Sequence, residues 1–76
     1  MKEVLHYPNL RTLLEIEKVI KNTDRPLLRV EIKDKLTKKI MHQTLNTALE
    51  YLESHNLIID SHKGVAWNKK EVANER

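Results

Sequence analysis

Between Lys38 and Asn56 the apolar positions Met41, Leu45, Ala48, Leu49 and Leu52 recur at spacings of i, i+4, i+7, i+8 and i+11. At roughly 100° per residue they fall within an arc about 100° wide, the width of one buried helical face. No Gly or Pro interrupts the run, and Thr37 stands where an N-cap hydroxyl would accept from an orphan backbone N–H. The pattern predicts a helix over 38–56. Upstream, Leu10, Leu13, Leu14, Ile16 and Ile20 predict a first helix over 10–22, with Asn9 as its N-cap. Their arc is about 160° wide, against a usual stripe of roughly 100°, and Val19 widens it further. Such a stripe suits a helix clamped beneath two others, or a surface for self-association.

Residues 22–26 (Asn-Thr-Asp-Arg-Pro) form a turn by composition, since the residue before a proline is steered away from the α region. Leu27 and Leu28 suit a very short strand. Leu28, Ile32 and Leu36, spaced i, i+4, i+8 and supported by Val30, predict a short second helix over 29–36. A link of three to four residues around Leu36, Thr37 and Lys38 then joins two helices, which is the helix-turn-helix arrangement. After Asn56 the period changes. Leu57, Ile58 and Ile59 make an apolar, β-branched run, residues 60–64 are turn-forming and end on Gly64, and Val65, Ala66 and Trp67 make a second short strand. This is a hairpin pattern. Residues 1–8 are a lead-in whose Val4, Leu5 and Tyr7 can pack on the domain, with Pro8 ending any regular element. Beyond Trp67 the chain is polar, with only Val72 and Ala73 apolar: a frayed tail or a short amphipathic turn.

A length of 76 residues implies a single domain, 1–76, with a core over about 9–68. A chain this short buries only about 60% of the surface it exposes when unfolded, so regular packing or a second copy must supply stability. With 39% hydrophobic and 33% charged residues it is globular rather than disordered. It has no Cys, which excludes a disulfide framework and a thiolate metal site. No apolar run approaches the roughly 20 residues of a membrane span, and the start MKEVLHYPN has no signal-peptide h-region. The expected compartment is the cytoplasm.

The net charge of +3 says little, but its distribution says more. Residues 25–47 hold six basic side chains (Arg25, Arg29, Lys33, Lys35, Lys38, Lys39) and two acidic ones (Glu31, Asp34). Residues 48–59 hold only Glu50 and Glu53. Positive charge therefore gathers just before the central helix and in its first half, the electrostatic footprint of a nucleic-acid face or, equally, a solvated Lys-rich surface. The helix face separates these. Lys39, His42, Gln43 and Asn46 point away from the apolar arc. Gln and Asn side chains pair bidentately with an adenine edge, and Lys reaches guanine or a phosphate.

Other chemistries lack their residues. The only serines are Ser54 and Ser61, in no nucleophile elbow, and there is no Gly-rich phosphate loop, so no enzyme activity is expected. His6, His42, His55 and His62 contain no i, i+4 pair and have no Cys partner, which argues against a metal site. His55 fits better as a helix C-terminal residue favoured by the macrodipole. Tyr7, Tyr51 and Trp67 do not interleave with the basic residues, so no single-strand stacking platform is expected. Trp67 suits a core plug at the hairpin base. No cofactor or small-molecule ligand is evident.

The segment VEIKDKLTKKIMHQTLNTALEYLESHNLI, residues 30–58, resembles the core of the winged-helix DNA-binding domain. An apolar-spaced second helix, a short turn, a helix ending Leu-Glu-Tyr-Leu-Glu and an Asn-Leu-Ile-Ile entry to the hairpin carry the likeness, which covers about residues 9–68. In style it is similar to small archaeal and archaeal-virus transcription regulators. The resemblance implies a mainly α, α+β fold, with a three-helix helix-turn-helix core and a C-terminal two-stranded β-hairpin wing. It implies a third helix in the major groove and a wing on phosphates or the minor groove. Many helix-turn-helix units carry Gly in the turn. Here Leu36, Thr37 and Lys38 stand there, so the backbone must avoid left-handed φ.

The expected function is sequence-specific binding of double-stranded DNA, as in transcription regulation, through Arg29, Lys33, Lys35, Thr37, Lys38, Lys39, His42, Gln43, Asn46 and Lys63. The alternative is a winged-helix adaptor docking on a protein partner in a transcription or replication assembly, since one fold serves both. A single reading helix covers about half a site, so a homodimer is expected. Its contact would be helix 1, with Ile16 and Val19 on the flank and Val4, Leu5 and Tyr7 adding to it. The competing account is that these residues only close the monomer core.

Overall fold

The computed structural model describes residues 8–69. Three helices, α1 (Leu10–Lys21), α2 (Arg29–Lys35) and α3 (His42–Ser54), are followed by two strands, β1 (Ile58–Ser61) and β2 (Gly64–Trp67). The strands pair antiparallel, with Ile58 opposite Trp67 and Ser61 opposite Gly64. The expected mainly helical α+β class with a terminal hairpin is what the chain forms. The lead-in residues Val4, Leu5 and Tyr7 and the tail residues Val72 and Ala73 lie outside the described residues.

Local chemistry sets most boundaries. Asn9 caps α1 as expected, its Oδ1 accepting from Thr12 N–H at 2.8 Å. Leu28 has no side-chain acceptor with which to cap α2. Glu31 serves instead, its Oε1 accepting from Leu28 N–H at 2.9 Å. The end of α3 is a Schellman motif: Leu57 N–H donates to Leu52 C=O at 3.0 Å and Asn56 N–H to Glu53 C=O at 2.9 Å. Asn56 supplies the left-handed step, at φ 63°. His55 is the C-cap residue, as its sequence position suggested.

The core is one cluster. Ile16 and Ile20 come from α1, Ile32 from α2, Leu45, Ala48, Leu49 and Leu52 from α3, and Ile58 and Val65 from the hairpin. Leu27 joins them from the loop before α2. Its expected strand is a single bridge, with Leu27 N–H donating to Val65 C=O at 2.9 Å and Val65 N–H to Leu27 C=O at 2.8 Å. That bridge requires Gly64. Its φ is +125°, and a Cβ there would stand 2.8 Å from the Leu27 carbonyl carbon and oxygen. Trp67 packs half-buried against the core, with Lys21 Nζ 5.0 Å from its ring centroid. Its Nε1 is buried with no acceptor among the described residues.

Five expectations need correction. First, α3 begins at His42, not Lys38, and Thr37 is not its N-cap; Met41 occupies that place. The reason is Ile40. On a helix continued back from Leu45, Ile40 would lie about 130° from the centre of the apolar arc, facing water. Interrupting the helix lets Ile40 turn inward and pack on the core. Met41, freed from the helical arc, is 53% exposed rather than buried.

Second, the α2–α3 connection is therefore six residues, Leu36 through Met41, rather than three or four. It avoids left-handed φ, as a turn without Gly must. Third, Leu28 and Val30 do not join the buried face of α2. Leu28 leads the helix as N-cap and Val30 points out, 61% exposed. Fourth, the wide apolar arc of α1 is buried only on one side: Ile16 and Ile20 are core, Leu13 and Val19 pack on it, and Leu10 and Leu14 are exposed. Fifth, the hairpin turn is two residues, His62 and Lys63, because Asp60 and Ser61 continue β1 and Gly64 starts β2.

A candidate nucleic-acid interface

Along α3 the first turn carries no acidic residue. His42 and Gln43 are exposed there, and neither side chain has a hydrogen-bond partner among the described residues. Asn46, one turn on, is half-buried. Glu50 follows on the same side. The end of α3 that enters from the connection is thus polar and without carboxylates, and the end that leaves is acidic.

The α2–α3 connection carries cations past that polar end. An open groove of about 660 Å³ runs between α2 and the connection, and Arg29, Lys33, Thr37, Lys39 and His42 line it with Asp34. Five of the ten candidate residues therefore share one concavity. Lys38 is turned the other way, lining a smaller recess with Asn9, Arg11 and Glu15 against α1. Lys35 lies at the exposed end of α2, and its charge is felt by Glu31. Lys63 stands at the exposed tip of the hairpin. No ion pair among the described residues involves Lys33, Lys38, Lys39 or Lys63.

Three candidates have intramolecular partners that sequence did not suggest. Thr37 is held by Glu15 of α1, with its N–H donating to Oε2 at 2.8 Å and its hydroxyl to Oε1 at 3.1 Å. Arg29, the first residue of α2, reaches both other parts of the domain. Its Nη2 donates to Asp60 Oδ2 at 2.7 Å, its Nη1 to Oδ1 at 3.4 Å, and its Nε to Asn46 Oδ1 at 2.9 Å. One guanidinium thus joins α2, α3 and β1.

Glu15 and Asp60 are the contributors that sequence reasoning passed over. Glu15 sits 22 positions from Thr37 with no motif to link them. Asp60 reads as a turn-former and proves to be a strand residue aimed at Arg29. Beside the groove, Arg25 and Glu31 form an exposed bidentate pair at 3.2 and 2.9 Å. That hydrogen bond, with a second from the Leu28 backbone, lowers the Glu31 carboxyl to about 2.

No helix among the described residues is long and apolar enough to cross a membrane. No family model matches the chain, and neither a curated protein nor a solved structure matches it.

Proposed function

We propose that the chain is a winged-helix module that binds double-stranded DNA sequence-specifically and regulates transcription, with no catalytic role. One observation carries the reading. The acid-free first turn of α3 is exposed, with His42 sharing one groove with the unpaired cations Lys33 and Lys39, and a further unpaired cation, Lys63, stands on the hairpin tip. A polar helix end beside cations suits a major groove bordered by phosphates. Gln43, exposed and unpartnered, is the freest base reader. Lys33, Lys35, Lys39 and Lys63 supply phosphate contacts, and two copies read two half-sites.

Fluorescence anisotropy with labelled duplexes tests this. Four phosphate contacts imply a log K against log[salt] slope of about −3.6 per protomer, or roughly a hundredfold loss from 50 to 200 mM salt. Gln43→Ala should cost about 1–3 kcal/mol on a selected site and little on random duplex. Lys63→Ala should weaken both alike. Binding that is absent or indifferent to salt removes the proposal.

A second reading has one observation in its favour. Met41 and Val30 place exposed apolar groups beside the same end of α3, as an adaptor's docking face would. In that case the anisotropy experiment shows no duplex binding at either salt concentration.

A further inference from the structure

The Arg29 cluster does more than link three elements. We propose that Arg29 is a positioning residue rather than a phosphate contact, and that it sets which base edge Asn46 addresses. This rests on the duplex-DNA reading above.

The argument starts from donor and acceptor inventories. An arginine Nε carries one N–H and accepts nothing. The Asn46 atom 2.9 Å from it is therefore the carbonyl oxygen, and the amide orientation is fixed by chemistry. Asp60 fixes the guanidinium in turn, accepting from Nη2 at 2.7 Å and from Nη1 at 3.4 Å. The pair is partly withdrawn from water, with the Arg29 side chain 36% exposed and that of Asp60 22%. Solvent therefore competes with it less than with the open Arg25–Glu31 pair, whose partners are 60% and 33% exposed. The cation that sequence assigned to DNA is already committed within the domain.

Two consequences follow for recognition. The guanidinium is neutralised locally by Asp60, so a phosphate must displace a carboxylate to reach it. Asn46 keeps its oxygen on the Arg29 side and its NH2 as the free end. An adenine edge asks an asparagine to accept from N6 and donate to N7 at once. That would bring the adenine N6–H donors beside a guanidinium N–H already donating to the same oxygen. A guanine edge offers two adjacent acceptors, N7 and O6, and asks only for a donor. The held amide therefore suits a G·C pair, and a freed amide suits A·T.

The test is selection from a randomised duplex pool with four proteins: the wild type, Asn46→Ala, Arg29→Met and Arg29→Lys. The pair at which Asn46→Ala loses its preference identifies the Asn46 contact. The wild type should select G·C there by about five- to a hundredfold over A·T, the range of one good base contact. Arg29→Met, which keeps the aliphatic stem and removes the donors, should shift that pair to A·T. It should leave the other positions and the salt slope unchanged. Arg29→Lys keeps the charge without the fork, so it should behave as Arg29→Met. A wild type that selects A·T at that pair overturns the proposal, and needs no variant of Arg29 to fold. So does an Arg29→Lys protein that keeps the wild-type preference, or a salt slope that falls by about one in Arg29→Met, the mark of a lost phosphate contact. Failure of all four proteins to enrich any duplex, with folding verified by circular dichroism, would instead sink the duplex-DNA reading itself.

Discussion

At the scale of single residues, Glu31 has the clearest electrostatic role. Its carboxylate accepts from Arg25 and from the Leu28 backbone, and these bonds hold it at about 2, well below its ordinary 4.5. A carboxyl depressed in the folded state stabilises it fully above the unfolded value, and that stabilisation is lost as pH falls through the folded one. The melting temperature of the wild type should therefore exceed that of Glu31→Gln by a constant margin at neutral pH. The margin should close between about pH 4.5 and about pH 2. A margin that persists unchanged at pH 2 would show that the charge is irrelevant and that the amide fails for another reason. Gln is the fitting replacement because it still accepts from Leu28 N–H, so the comparison isolates ionisation from capping.

At the scale of elements, the connection between α2 and α3 decides where the cations sit. Glu15 pins it through two bonds to Thr37. Glu15→Ala should cost about 1 kcal/mol of stability, the net worth of a typical hydrogen bond, measured by urea denaturation. In the proposed binding mode it should also flatten the salt slope, because Lys39, the groove cation of the connection, loses its fixed place. An unchanged slope with the stability loss would separate the pin from DNA binding. This connection also marks where sequence was legible and where it was not. The apolar spacing of Leu45, Ala48, Leu49 and Leu52 was enough to find α3 and its buried face. The N-terminus was not, because residues 38–41 have acceptable helical propensity. Tertiary ties, the packing of Ile40 on the core and the bonds of Thr37 to Glu15, hold the chain out of the helix there. The hairpin is visible as a change of period, yet the composition suggests too long a turn, since polar Asp60 and Ser61 look like loop and serve as strand. The candidate site divides the same way. Exposed His42, Gln43 and Lys63 follow from pattern alone, whereas the ties of Arg29 to Asp60 and Asn46 join positions 31 and 17 apart, beyond any local signal.

At the scale of the whole molecule, the open matter is how two copies would meet. Ile16 is fully buried and cannot serve a dimer without unfolding the monomer, whereas Val19 packs on the core with part of its surface accessible. The apolar groups α1 leaves most accessible are Leu10, 69% exposed, and Leu14, 52% exposed. The expected homodimer, if it uses α1, would centre on these most exposed groups, with Val19 at the edge. Light scattering at micromolar concentration should give twice the mass of the 9.0 kDa chain, halved by Leu14→Glu with the melting temperature intact. A monomer in both proteins would rule out this contact. The indole of Trp67 offers a way to watch such events without a label. It is the chain's sole tryptophan, wedged where the hairpin meets α1 and lying beneath the Lys21 ammonium. Its intrinsic emission is therefore a single-site optical gauge of hairpin docking. It belongs to a ring on the α1 side of the domain, so titrating a ligand onto α3 and melting the fold are spectrally separable events.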